Sequence, residues 1–385
     1  MRAVKVFVLL LFLVQWVLAA QAQIPNSAQA PPAVNDQRES PAAPAVATPA
    51  GVTPVIPAPG VTQARPAGPA APALAGQVRV RRVALMDIKG QPGFNGTVFV
   101  NGCVVMAHTA NNSVDVFNVR KRRLVAQIPD MQGAGAMAVN PKASVIYVAN
   151  SEGNNIAVIS SQDWKLVRRI AVQDAPGGLL FVPEDNTLYS ASYRQQTISL
   201  IDAIQGKQIS RTAVDGSPED MAFDGRRHRV YATLEAQNEV AVFDPGLKLL
   251  RRWKLNASEP TGVVYDRKTD RLYVAVRYAV LALDPETGSE TARVAAPAGV
   301  DTLALDAAGQ MLYAAAEGGS VQMIRTAGRL TVEQEVNTEV RGHLVAFDPE
   351  SGMLFLPGGR DGRAKLLLLK QVSMGAPAAQ QTAEK

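Results

Sequence analysis

One unit of about 42 residues recurs seven times in this chain, and that repeat leaves few folds open. Residues 145–170 read VIYVANSEGNNIAVISSQDWKLVRRI. Ile146 and Val148, then Ile156 and Val158, form two alternating runs rich in β-branched residues, which is the pattern of half-buried strands. Ser151, Gly153 and Asn155 between them have turn chemistry, so the pair reads as a hairpin. A second polar turn leads into a third run at 166–170. With Tyr147 as anchor, equivalent positions fall at Val105, Tyr189, Tyr231, Tyr273, Tyr313 and Phe355, spaced by 42 residues except for one step of 40. Short strands repeating at this period predict radial blades, each a four-stranded antiparallel sheet. The expected fold is all-β, a seven-bladed β-propeller.

The two ends of the repeat array predict how the ring closes. Val78, Val80, Val83, Leu85 and Ile88 form an extended apolar run ahead of the first full repeat. The last repeat has only three such runs, at 343–347, 353–356 and 364–370. An N-terminal strand from 78–88 is therefore expected to complete the seventh blade, which also removes an exposed sheet edge. Within the first blade Asn101-Gly102 is a strong two-residue hairpin signal. The corresponding turns of later blades are longer and rich in Asp and Gly, residues that bond their own backbone or accept positive φ.

The residues also resemble a known family. Ile146-Tyr147-Val148-Ala149-Asn150, followed by 155–159, resembles the repeat of the YVTN-type β-propellers, as do 188–192 with 197–202 and 272–276 with 280–284. Pro176-Gly177-Gly178 and Pro260-Thr261-Gly262 are similar to that family's inter-blade linkers. The resemblance spans about residues 78–370 and implies architecture. Proteins of this kind include surface and periplasmic binding proteins, with enzymes among distant relatives.

Outside the repeats the composition changes sharply. Residues 1–22 carry Arg2 and Lys5, then an apolar run ending on Ala20-Gln21-Ala22, the pattern of a cleavable secretory signal peptide. Twelve of the chain's 25 prolines fall in 23–76, a Pro/Ala-rich composition that cannot bury enough apolar surface to order itself. The expected organisation is thus signal peptide 1–22, disordered linker 23–76, propeller 77–371 and disordered tail 372–385, in an exported periplasmic or secreted protein. No membrane span is expected after signal cleavage, and the protein is expected to be a monomer. The net charge is +5, two units of it from the leader, which is too mild to imply nucleic acid. Cys103 is the only cysteine, which excludes an intrachain disulfide and a Cys-rich zinc site.

Catalytic and nucleotide motifs are absent: no Walker A loop, no His-Glu-x-x-His, no Gly-x-Ser-x-Gly and no EF-hand loop. Gly133-Ala-Gly-Ala-Met-Ala138 mimics a dinucleotide fingerprint but precedes a strand, leaving no helix N-terminus for a phosphate. Propeller geometry instead directs attention to the central channel. Counting twelve residues back from the anchors gives Gly135, Gly177, Glu219, Thr261, Asp301 and His343, all at the start of an innermost strand. With Asp220 and Arg341 alongside, and His108 closing the second strand of blade one, these residues are expected to ring the channel mouth. Carboxylates and imidazole there suit cation binding or acid–base chemistry; the same residues also suit an ordinary wet rim.

The primary expectation is a non-enzymatic propeller that binds a small-molecule ligand or protein partner on its loop-rich acidic face. No organic cofactor is expected, while a divalent cation fits the carboxylates. One alternative is a lactonase-type hydrolase with a carboxylate or metal site at the channel. Another is polyanion or nucleic-acid binding through the basic runs 120–123, 168–169, 226–229 and 251–252, expected on the opposite face and the outer strands.

Overall fold

The computed structural model describes residues 78–373. The expected signal peptide and linker, and residues 374–385 of the expected tail, lie outside the described residues. Twenty-eight strands form seven four-stranded antiparallel sheets. Six sheets take four consecutive strands each, giving blades 1 to 6 over residues 96–128, 134–171, 178–213, 218–254, 263–295 and 300–337. Blade 7 combines Ala346–Asp348, Met353–Arg360 and Arg363–Ser373 with the N-terminal strand Val78–Asp87 as its outermost member. That strand runs antiparallel to Arg363–Ser373 from Val78↔Ser373 to Asp87↔Lys365, with one shift of register between Arg82 and Ala84. The ring closes as the repeat array predicts, though the last strand continues to Ser373, past the expected end of the propeller at 371. Among the described residues the only helix is a single turn, Thr109–Asn111, and none is long and apolar enough to cross a membrane.

The core lies between blades. Seven apolar clusters each join neighbouring sheets, and the seventh brings Ile88, Phe94 and Met106 against Leu344, Phe355 and Leu366, sealing blade 7 to blade 1. The anchor residues are buried at every repeat. Two of the tyrosines also reach forward to the following blade, Tyr189 Oη donating to Pro245 O at 2.8 Å and Tyr231 Oη to Pro285 O at 2.8 Å. A buried hydroxyl that finds a backbone acceptor loses no hydrogen bond on folding, which explains tyrosine rather than phenylalanine at those positions.

Turn chemistry recurs with the same period. Asn140, Asp224, Asp266, Asp306 and Asp348 end innermost strands, and each Oδ1 accepts from a backbone N–H two or three residues on, at 2.8–3.1 Å. The turns then pass through a left-handed residue at Ser144, Asn186, His228, Asp270 or Gln310, with φ of 49–54°.

Part of the expected basic surface is consumed in holding the ring together. Arg169, Arg211, Arg252 and Arg293 occupy matching places on outermost strands, but they turn toward the linker entering their own blade. Arg169 Nη2 donates to Asp130 O at 2.7 Å, Arg211 Nε to Asp174 Oδ2 at 2.5 Å, Arg252 Nη2 to Asp215 O at 3.0 Å and Arg293 Nη2 to Asn256 O at 3.2 Å. Arg169 and Arg252 are therefore clamps on the linker face, not features of the opposite face. The reason is reach: a guanidinium with five donors spans from an edge strand to linker carbonyls that no ladder satisfies.

Candidate functional site at the channel mouth

Backbone irregularity at the start of the innermost strands aims side chains into the channel. In blade 4, Pro218 pairs with Leu234 and Met221 with Ala232, so Glu219 and Asp220 together oppose the single residue Thr233. In blade 6, Val300 pairs with Ala316 and Thr302 with Ala315, leaving Asp301 as the extra residue. Blade 2 has the same shift between Ala134 and Met137. An extra residue in one strand bends it and re-aims what it carries. Glycine on neighbouring blades makes room: a Cβ on Gly178 would collide with the Glu219 carbonyl oxygen, and one on Gly262 with that of Asp301.

A cavity of about 450 Å³ opens there, lined among others by Thr97, Glu219, Asp220, Thr261, Asp301 and His343. A second space of about 250 Å³ shares Glu219, Thr261 and Asp301 and adds Glu235, Glu259 and Glu317 from the surrounding loops and linker. Burial pushes the Glu219 carboxyl up to about 8, helped by the negative charges of Glu235, Asp301 and Asp220. Asp220 is raised to about 6 by burial, against the backbone N–H groups of Val263 and Met221. Asp301 is also raised, again by burial first; the adjacent imidazole of His343 opposes the rise, and Glu317 and Glu235 add to it. His343 Nε2 stands 3.5 Å from Asp301 Oδ2. Among the described residues neither Glu219 nor Asp220 forms an ion pair. Desolvation and like charge both disfavour the ionised carboxyls, so a cation entering the cavity would be stabilised by all three.

The six residues expected at the mouth separate into three groups. Glu219, Asp220, Asp301 and His343 meet at one cavity. Asp220 has a structural duty as well, because its Oδ1 accepts from Met221 N at 2.8 Å and its Oδ2 from Val263 N at 3.0 Å, pinning blade 4 to blade 5. Arg341 lies in a neighbouring space of about 620 Å³ at the junction of blades 7 and 1, where its backbone bridges to Gly359. His343 lines both spaces.

His108 does not belong at the mouth, contrary to expectation. It is fully buried, with Nδ1 at 2.7 Å from Asp115 Oδ2, Nε2 at 2.7 Å from Gln91 O, and its ring 4.2 Å from that of Phe94. The end of a second strand points into the seam between blades, and there the imidazole fastens the connection that follows the closing strand. Glu235 and Glu317 are the members of the site that counting back from the anchors misses. They sit on the loops that follow the second strands of blades 4 and 6, the same blades that carry Glu219 and Asp301, and only their place among the acidic loops of this face hinted at them.

Among the described residues no three His, Cys, Asp or Glu side chains come close enough to hold one metal ion. Asp220 spends both oxygens on backbone N–H groups, and Glu219 and Asp301 come from blades 4 and 6. The donor set does not fit a preorganised divalent centre, whose ligands must converge within about 2.0–2.6 Å of one point.

Across the rest of this face most acids are matched. Asp174 pairs with Arg211, Glu239 with Arg252, Glu259 with Arg277 and Glu339 with Arg360. Most acids of this face are thus matched, Glu259 by the Arg277 that lines the same channel-side space, while Glu219 and Asp220 have no ion-pair partner among the described residues.

The fold is shared with solved structures of low sequence identity. The chain matches the crystal structure of Chaetomium thermophilum Raptor with a TM-score of 0.67 at 14% identity, over 79% of this chain and 30% of that one. It matches Kuenenia stuttgartiensis hydrazine synthase with a TM-score of 0.63 at 15% identity, over 74% and 97% of the two chains. The RRP9 WD40 repeats match with a TM-score of 0.65 at 12% identity, over 76% and 100%. At such identities the likeness is one of fold. No protein-family model matches the sequence, and no curated protein matches it.

Proposed function

We propose that this chain is an exported, non-enzymatic propeller of the YVTN type that captures a cationic group, ammonium or guanidinium, at its channel mouth. The group would belong to a small molecule or to a side chain of a protein partner. One observation carries the reading: the raised carboxyls of Glu219, Asp220 and Asp301 share a 450 Å³ cavity, and His343 is the only basic side chain lining it. An incoming cation would restore the ionised forms and relieve their repulsion, so binding stabilises the folded state. The space suits an organic cation better than a bare metal ion, because the donors are spread around it without converging. The lactonase-type alternative depends on converging metal ligands and has no comparable support.

A thermal-shift titration with spermidine, lysine and calcium tests the proposal. The amines should raise the melting temperature of the parent protein. Glu219→Gln combined with Asp301→Asn should abolish the rise without unfolding the ring. Asp220 is left intact because it also ties blades 4 and 5. Equal responses of parent and double variant to every cation would overturn the reading.

A further inference from the structure

The opposite rim of the ring carries a surface that channel-mouth binding does not use. Outermost strands begin directly after the turn joining the third and fourth strands of each blade. In blades 1 to 4 they begin alike: Arg123-Leu124-Val125, Lys165-Leu166-Val167, Lys207-Gln208-Ile209 and Lys248-Leu249-Leu250. Blades 5 and 6 have Ser289-Glu290-Thr291 and Thr331-Val332-Glu333 at the same place. A basic residue followed by aliphatics thus marks four consecutive blades, just over half the ring.

In blades 2 to 4 these aliphatics are exposed, while Leu124 and Val125 of blade 1 are half-buried and Val332 of blade 6 is 41% exposed but has no basic residue before it in its strand. Val167 is 58% exposed, Ile209 61% and Ile204, at the tip of the blade 3 turn, 69%; Leu166, Leu249 and Leu250 are between 39% and 45%. Those of blades 2 and 3 are brought together, because Arg168 Nη2 donates to Ala203 O at 2.7 Å and Ile204 O at 3.0 Å, joining the blade 2 rim to the blade 3 turn. Contiguous exposed apolar surface costs solubility and ordinarily marks a contact.

The charge around the arc identifies the partner. Arg120, Lys121, Arg122 and Arg123 are all exposed at its blade 1 end and form no ion pair among the described residues, and the same is true of Lys207 and Lys248. Asp202 and Asp244, the nearest acids on the blade 3 and 4 turns, are engaged with their own backbones. The exposed apolar members are Leu, Val and Ile without an aromatic residue. Protein interfaces concentrate their energy in Trp and Tyr as well as Arg; of these only Arg is exposed on the arc, Trp164 on the blade 2 turn being half-buried, and the two exposed tyrosines, Tyr193 and Tyr278, stand on loops of the other face. Aliphatic side chains fringed by lysines, whose stems lie along apolar surface while the ammonium stays in water, suit a bilayer interface with anionic headgroups.

We infer that the rim formed by the outermost strands and turns of blades 1 to 4 docks on an anionic lipid surface, leaving the channel mouth facing away from it. The inference stands independently of what the channel binds.

Site-specific fluorescence on the full chain tests it. Cys103 is buried, so cysteines introduced singly by Ile204→Cys, Leu250→Cys and, as a control on blade 6, Val332→Cys can each carry an environment-sensitive fluorophore. With vesicles of one part phosphatidylglycerol to two parts phosphatidylcholine, the labels at 204 and 250 should shift to the blue and the label at 332 should not. Pure phosphatidylcholine vesicles should give no shift. Lys165→Gln, Lys207→Gln and Lys248→Gln together should lower partitioning about a hundredfold, at about fivefold for each charge near the surface. The same shift at all three labels, or none at 204 and 250, would overturn the inference. So would a shift that grows with protein concentration without vesicles, which would indicate a second copy of the chain. Binding to soluble polyphosphate as tight as to vesicles, without a blue shift, would also overturn it in favour of a polyanion.

Discussion

Two clusters of charge, one on the turn face between blades 4 and 5 and one at the channel mouth among blades 4, 6 and 7, behave in opposite ways. On the turn face, Arg227 Nη1 and Nη2 donate to the two oxygens of Asp270 at 2.8 Å each, and Nη1 also reaches the fully buried Asp224 at 2.8 Å. Glu286 receives Arg229 at 3.0 and 3.1 Å. Asp270 is held well below the usual carboxylate range by the Arg227 guanidinium, and Glu286 is lowered by Arg229. At the channel mouth, Glu219 and Asp220 lack such partners, and their carboxyls and that of Asp301 are raised by burial. Paired charge on the turn face supports the fold. Unpaired carboxyls at the mouth oppose it, which is the physical ground for the binding proposed there.

The largest contrast should come from removing Arg227. Arg227→Ala leaves the carboxylate of Asp224 buried without its cation, and should cost about 3 kcal/mol in urea denaturation. A loss within the range of ordinary surface substitutions would show that the turn-face network is not structural.

Crowding at the mouth gives the next effect. Gly262→Ala places a methyl against the Asp301 carbonyl oxygen and should destabilise by roughly 1–3 kcal/mol. It should also weaken any amine-induced thermal shift, because Asp301 is displaced. Loss of stability with the thermal shift intact would separate the glycine from the site.

Neutralising an unpaired acid should do the reverse. Glu219 has a folded value of about 8 against an ordinary 4.5, so the folded state holds its proton more tightly than the unfolded state. Its stabilising contribution is fully present below pH 4.5 and is lost as pH rises through about 8. Glu219→Gln should therefore leave stability at pH 4.5 unchanged and raise it at pH 9 by about 2 kcal/mol, allowing for water in the cavity. No difference at pH 9 would mean that the Glu219 carboxylate is already relieved by solvent.

The smallest effect is a change of shape at acid pH. Asp270 is lowered in the folded state, so its contribution is present above the ordinary carboxylate value and is lost as pH falls toward the folded one. Stability measured from pH 5 to pH 2 should fall less steeply in Asp270→Asn than in the parent. Parallel curves would remove Asp270 from the pH-sensing groups.

Much of this was legible in the residues, for a specific reason. The anchor at Tyr147 and its six equivalents repeat because each occupies the same buried place in its blade. The strands of one blade pair locally, so periodic sequence maps directly onto periodic structure. Counting back from those anchors placed Glu219, Asp301 and His343 on one rim for the same reason. The count could not show that Asp220 turns its carboxyl toward the backbone of blade 5, nor that Glu235 and Glu317 lean over the mouth. Those relations depend on side-chain direction, which is set by bulges and by the close approach of Gly178 and Gly262 to the blades beside them.

His108 and the arginines mark the same boundary. Its position at the end of a second strand is visible in the chain, but whether that end faces the channel or the seam depends on the packing of Phe94 and the connection through Gln91. Arg169 and Arg252 read as outer-strand residues, and their reach to the carbonyls of Asp130 and Asp215 exists only once each linker packs beside its blade. The period of the repeat by itself determined the all-β ring, its seven blades and the strand that closes it, since local antiparallel pairing needs only neighbours in sequence. The tertiary structure decided which charges are paired and which are stranded at the channel mouth. Pairing depends on distances between blades that no repeat encodes, and desolvation acts only on the groups that closure of the ring removes from water.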